Sequence, residues 1–107
     1  QTVKNAQSIF SPKYGSPEQR QGIYCPASDQ YALAIILFEA LLGVVPFDGD
    51  KETMNSKHLH EMPDCNALLS VVPTDTVRVL EKAMEKEPEN RHASVSDFNE
   101  AFQKSLL

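Results

Sequence analysis

Apolar positions are densest at residues 31–42, YALAIILFEALL, where every side chain except Glu39 is apolar. A helix lying on a surface keeps one polar face, and a helix crossing a bilayer needs about 20 apolar residues. This run meets neither description, so it predicts a helix of roughly three turns buried on nearly all sides by a larger body. Ser28-Asp29 stand in front of it and Gly43 behind, with Pro46 just beyond. Ser28 is the expected cap, and Gly43 the glycine after which the helix cannot continue.

The flanking segments are punctuated by helix-start and helix-stop chemistry. Residues 1–15, QTVKNAQSIFSPKYG, have no period and carry Pro12 and Gly15, which predicts an extended or mobile loop. Ser16-Pro17-Glu18-Gln19 reads as a capping box opening a short helix that Gly22 ends. After Val45-Pro46-Phe47 and the turn at Asp48-Gly49-Asp50, residues 51–61 predict a helix with Met54, His58 or Leu59, and Met62 toward one side. Residues 66–71 read as a single turn. Thr74 is placed to cap a helix running to about Lys86, with Val77, Leu80, Ala83 and Met84 inward and Pro88 stopping it. Ser94 to Asp97 forms a further capping box, and Val95, Phe98, Ala101, Phe102 and Leu106 keep helical spacing to the last residues. The expected fold class is therefore all-α, a helical subdomain around one buried central helix, with no strand.

Charge and cysteine content narrow the partners. A formal charge of −5 argues against nucleic acid and against an anionic membrane surface, both of which attract clustered Lys and Arg. Cys25 and Cys65 show no CxxC spacing; a disulfide stays open, but an unpatterned pair reads more readily as two reduced thiols in a cytoplasmic protein. No secretory leader is visible, and the absence of an initial Met suggests a processed piece or part of a longer chain. At 107 residues it is one domain or a portion of one, and no repeat or low-complexity segment interrupts it.

Several residues carry candidate chemistry, each with a plainer alternative. Ser8 and Ser11 are loop hydroxyls, or else sites of phosphorylation or substrate contact. Glu18 suits the first turn of its helix electrostatically, or serves as the ion-pair partner of something distant in sequence. Asp29, at the mouth of a dry helix, needs hydrogen bonds: either it caps free backbone N–H groups, or it clamps the backbone of another segment. His58 and His60 are two apart and fall on different helix faces, so their spacing argues against a metal site.

Taken in order, these signals resemble the eukaryotic-like serine/threonine protein kinases, closest to the bacterial branch, in the C-terminal half of the large lobe. Phe10-Ser11-Pro12-Lys13-Tyr14-Gly15-Ser16-Pro17-Glu18-Gln19 looks like the end of the activation segment, where the family has Gly-Thr-x-x-Tyr before Ala-Pro-Glu. Ser28-Asp29-Gln30-Tyr31-Ala32-Leu33-Ala34 is similar to the Ser-Asp-Val-Tyr-Ser-Leu-Gly start of the family's helix F, and Phe38 to Phe47 continue that motif through the following turn. Leu80 to Arg91 resemble helix H and its Asp-Pro-x-x-Arg ending. The resemblance covers about residues 9–103, and its strength lies in the ordered set of motifs. It divides the chain at residue 15, with residues 1–15 as the end of the activation segment and 16–107 as an incomplete helical subdomain. Phe10 and Ala34 depart from it, since both stand where the family usually has glycine.

The resemblance implies roles for particular residues. Asp29 would accept backbone hydrogen bonds from the catalytic loop, and Glu18 and Arg91 would form a buried ion pair between the activation segment and the loop joining helices H and I. Ser11 and Tyr14 would border the P+1 pocket, Ser11 touching the catalytic aspartate and lysine. Glu39 would help to read basic substrate residues, unless it faces an internal partner. Equally, the chain contains no Gly-rich phosphate loop, no His-Arg-Asp loop and no Asp-Phe-Gly metal ligand. ATP and magnesium would thus belong to a parent kinase, and this chain, with no catalytic or metal-binding residue of its own, should neither bind nucleotide nor transfer phosphate. Three readings stand: a kinase fragment partnered by the remainder of its domain and a protein substrate, a non-catalytic kinase remnant used for docking, and an acidic helical binding domain. Part of the cover for residues 31–42 is not encoded, so either self-association through an apolar patch or a swap of elements with a second copy is expected.

Overall fold

The computed structural model describes residues 2–4 and 10–107. Among these, five α-helices account for about half of the chain: α1 (Pro17–Arg20), α2 (Pro26–Leu42), α3 (Lys51–His60), α4 (Thr74–Ala83) and α5 (Val95–Ser105). Short 3₁₀ turns at Asn66–Ser70 and Pro88–Asn90 join α3 to α4 and α4 to α5. The all-helical expectation misses one feature. Val3–Lys4 (β1) pairs antiparallel with Ile23–Tyr24 (β2), Val3 opposite Tyr24 and Lys4 opposite Ile23. Two residues are too few for a period of two to show in sequence.

The ends of the helices follow local chemistry, with two corrections. Ser16 caps α1 as expected: its Oγ accepts from Gln19 N at 3.3 Å, and Gln19 Oε1 accepts from Ser16 N at 3.1 Å. The central helix α2 begins before the expected cap at Ser28. Pro26 takes the first helical position, where its fixed φ fits and no N–H is needed, so Cys25 becomes the cap residue. Ser28 lies one turn inside and returns its Oγ to Cys25 N at 3.1 Å. Thr74 likewise does not cap α4. The Pro73 carbonyl accepts from Thr76 N and Val77 N at 3.0 and 3.2 Å, which starts the helix one residue earlier without a side-chain cap. At the other end α4 stops at Ala83, short of the expected Lys86: the chain tightens to three-residue turns, Met84 N donating to Glu81 O at 3.1 Å and Glu85 N to Lys82 O at 3.2 Å, and the carbonyls of Glu85 and Lys86 accept from Arg91. Gly43 closes α2 in the left-handed region at φ 80°, which is open to glycine at little cost.

The core sits where α2 meets α4, α5 and the Asn66–Ser70 turn. Tyr31, Ala34, Ile35 and Phe38 of α2 interlock with Leu68, Val77, Leu80, Ala83, Met84 and Phe98. Phe98 is the single fully buried residue of α5; Ala101 and Phe102 are half-buried, and Leu106 is exposed. The expectation that residues 31–42 are buried on nearly all sides holds for one side only. Leu33, Leu37, Leu41 and Leu42 are partly covered, whereas Ile36 is 46% exposed and Val44, just past the helix, 61%. The elements that follow α2 all pack on its Tyr31–Ala34–Ile35–Phe38 side, which leaves Ile36 and Ala40 facing outward. On α3, Met54 and His58 are buried, while Met62 lies beyond the helix end and is exposed.

Candidate functional site

Capping brings Glu18 to the first turn of α1, and the turn after α4 brings Arg91 beneath it. The two side chains meet as a bidentate pair: Arg91 Nη1 donates to Glu18 Oε2 and Nη2 to Oε1, each at 2.8 Å. Both are buried, Arg91 at 4% exposure and Glu18 at 5%. Every remaining guanidinium N–H is used as well. Nε donates to Glu85 O at 2.8 Å, Nη1 to Ala27 O at 2.9 Å and Nη2 to Lys86 O at 3.2 Å. The guanidinium also lies 5.0 Å from the centre of the Tyr31 ring, a favourable cation–π distance. Ser28 Oγ donates to Glu18 Oε2 at 2.7 Å, so the residue expected to cap α2 instead completes the shell of the carboxylate. Burial pushes the Glu18 pKa upward, but hydrogen bonds and charge from Arg91, with help from Ser28, outweigh it, and the net shift is downward. This one pair therefore joins α1, the start of α2 and the turn between α4 and α5.

The candidate substrate-side residues lie elsewhere on the chain's surface. Ser11 is exposed, and its carbonyl accepts from Tyr14 N at 3.1 Å and Gly15 N at 2.8 Å, which makes residues 11–15 a tight turn. Tyr14 OH donates to Glu39 Oε1, so the turn reaches the middle of α2. That bond, then burial, then the Glu39 charge raise the Tyr14 pKa above its ordinary value. One Glu39 oxygen thus has the internal partner that stood as the alternative to a substrate-reading role. Asp29 is exposed and accepts from Tyr24 OH at 2.7 Å rather than capping its own helix. Ser8 lies outside the described residues.

Other polar contacts escape the sequence patterns. Gln30 is fully buried and pairs reciprocally with the His92 backbone, Nε2 donating to His92 O and Oε1 accepting from His92 N, both at 2.9 Å. Its register is the one available signal: Gln30 lies one turn before Ala34, on the face that carries Ile35 and Phe38. His92 Nε2 in turn bonds the Val79 carbonyl at 3.0 Å and its ring stacks on Phe98. His58 is fully buried with Nδ1 2.8 Å from Tyr31 OH, while burial, helped by the Arg20 and Lys86 charges, lowers its pKa to about 3. It is a neutral core histidine. Lys86 Nζ sits over the Tyr31 and Phe47 rings at 5.7 and 5.1 Å without a hydrogen-bond partner among the described residues. Burial first, and Arg91 second, bring its pKa down to about 8.

Cys25 and Cys65 are both free thiols. Among the described residues no group of three or more His, Cys, Asp or Glu comes together as a metal site, and no helix is long and apolar enough to cross a membrane. His60 is exposed and points away from the buried His58.

No protein-family model matches the chain. Individual proteins do. It is 38% identical over 102 residues to a probable serine/threonine-protein kinase of Clostridium perfringens, an alignment covering 91% of this chain and 15% of that protein. It is 38% identical over 101 residues to the serine/threonine-protein kinase PrkC of Bacillus subtilis, covering 91% of this chain and 16% of the relative. Against the serine/threonine-protein kinase PknB of Mycobacterium tuberculosis the identity is 35% over 99 residues, 90% of this chain and 16% of that kinase. The chain thus spans about one sixth of the length of the curated relatives it matches.

Proposed function

This chain is a homologue of one segment of the bacterial serine/threonine protein kinases, and on that premise we propose that it is the substrate-side platform and structural anchor of such a kinase's large lobe. The parent would phosphorylate protein Ser or Thr with magnesium ATP. The observation that carries the reading is the buried bidentate Glu18–Arg91 pair, formed by the two residues that the family motifs single out. It supports an anchor that fixes the end of the activation segment to the helical body. Exposed Ser11 and half-buried Tyr14, the latter bonded to Glu39, would face the protein substrate, and Ser11 would carry a hydroxyl open to phosphorylation. Asp29, exposed at the start of α2, would meet the catalytic loop. ATP and magnesium would be held by the rest of the parent kinase, since the sequence of this chain includes no Gly-rich loop, His-Arg-Asp loop or Asp-Phe-Gly motif. No chemical step is assigned to the residues of this chain.

The face of α2 carrying Ile36 and Ala40 would be covered by the remainder of the kinase domain. In the chain on its own, that face would drive self-association. Replacing the matching segment of the Bacillus subtilis PrkC with this chain tests the platform reading. A folded chimaera that phosphorylates a protein substrate, and loses that activity on Arg91→Ala, is the expected result. A folded but inert chimaera contradicts it and favours a non-catalytic docking module.

A further inference from the structure

The turn that carries Ser11 and Tyr14 is gripped by a side chain from outside the motifs, Arg20 at the end of α1. Its Nη2 donates to Pro12 O at 2.6 Å and to Gly15 O at 3.1 Å, two carbonyls on either side of the turn. Its Nη1 donates to Asn55 Oδ1 in the middle of α3. The guanidinium lies 5.0 Å from the centre of the Phe10 ring. That ring in turn packs on Gly15 so closely that a Cβ there would fall 2.3 Å from Phe10 Cδ2. Phe10 is one of the two residues that stand where the kinases usually have glycine. Here it exchanges backbone freedom at the start of the turn for a ring wedged between Gly15 and Arg20.

We propose that Arg20 is a positioning residue, which fixes the 10–15 turn between α1 and α3 and thereby sets where Ser11 and the Tyr14–Glu39 pair stand. The relevance of that position to substrate rests on the platform reading above, whereas the clamp itself does not. Guanidinium chemistry is needed because a planar fork serves two carbonyls, an amide oxygen and an aromatic face at once. A lysine at the same place offers a compact ammonium on a flexible stem and satisfies only part of this set.

Hydrogen exchange and tyrosine titration by NMR on the 107-residue chain test the clamp without any substrate. In Arg20→Ala and Arg20→Lys, exchange at Tyr14 N and Gly15 N should rise roughly tenfold or more, while amides of α4 keep their protection. The Tyr14 hydroxyl should titrate closer to its ordinary value as its bond to Glu39 loosens, read over the pH range in which the α4 amides stay protected and the chain is therefore folded. Should Arg20→Ala unfold the chain, Asn55→Ala decides, since it removes only the tie to α3. A rise confined to the same two amides supports the clamp, and parent-like exchange there overturns it. An Arg20→Lys chain indistinguishable from the parent in both readouts also overturns it. If these shifts appear while the PrkC chimaera is inert, the clamp stands and the substrate reading falls. An active chimaera with no such shifts keeps the platform and removes the clamp.

Discussion

Substituting Arg91 by alanine should destabilise the chain more than any surface change, and the partners of the guanidinium set the size of the effect. The substitution removes all five guanidinium hydrogen bonds and the stacking on Tyr31. It leaves the Glu18 carboxylate, at 5% exposure, with Ser28 Oγ at 2.7 Å and the weak donor Cys25 Sγ at 3.9 Å as side-chain partners. It also strips the Ala27, Glu85 and Lys86 carbonyls of their partner. Breaking a buried ion pair on one side costs about 3–5 kcal/mol, against a net stability of about 5–15 kcal/mol for a domain. At roughly 4–8 °C per kcal/mol for a domain near this size, the melting temperature, followed by circular dichroism, should fall by about 12–40 °C. Removing both charges, as Glu18→Leu with Arg91→Met, should cost less than Arg91→Ala alone, because no unpaired charge remains buried. The acid limb of the stability curve is an independent check. The folded pKa of Glu18 lies below its ordinary value of 4.5, so the stability it contributes is complete above about 4.5 and is lost as pH falls through the folded value. Arg91→Ala should flatten that limb. An unchanged melting temperature in Arg91→Ala would refute the anchor.

Further outcomes can be measured on the same chain. Lys86 has a folded pKa of about 8 against an ordinary 10.5; the unfolded chain therefore binds more protons through this interval, and stability should rise with pH. Between pH 8 and 9, where Cys65, raised from 9.0 to about 11, opposes it only in part and Tyr31 does not yet do so, the net gain should stay below about 1 kcal/mol because the side chain is partly solvated. Lys86→Met should abolish this slope in urea titrations, and a parent-like slope in that variant would assign it to another group. Gln30→Leu should cost about 2–3 kcal/mol, since it orphans the His92 N–H and carbonyl; an equilibrium urea midpoint equal to the parent's would contradict this. Light scattering at micromolar concentration should find the parent chain self-associated, and Ile36→Glu should shift it toward monomer, whereas a monomeric parent would count against the exposed α2 face as the driver.

How far the sequence can be read depends on whether the signal is local. Ser16 and Ser94 announce helix starts because capping is completed within three residues. The inner faces of α4 and α5 are visible as periods. Where proline acts first, at Pro26 and Pro73, the hydroxyl rule misplaces the cap, because the ring fixes the backbone before Ser28 or Thr74 is reached. The two-residue strands have no period to read. Apolar content reveals that α2 wants cover, but not that its Ile36 side faces outward; that depends on which elements pack where. In the candidate site, Glu18 and Arg91 are 73 positions apart, and no spacing rule connects them; only the motif resemblance singles them out together. Arg20 and Lys86 carry no such signal, because a charged residue near a helix end reads as solvated until its partners are seen. Gln30 differs from them only in its register.

The functional reading rests on the chain being one segment of a serine/threonine protein kinase. The decisive experiment is to isolate the native protein that carries the chain, determine its intact mass, and follow γ-phosphate transfer from ATP to protein serine or threonine. The predicted result is a polypeptide several-fold longer than 107 residues, with phosphorylation activity that Arg91→Ala abolishes or severely reduces. A native protein no longer than this chain, or a longer one that folds and transfers no phosphate, would contradict it.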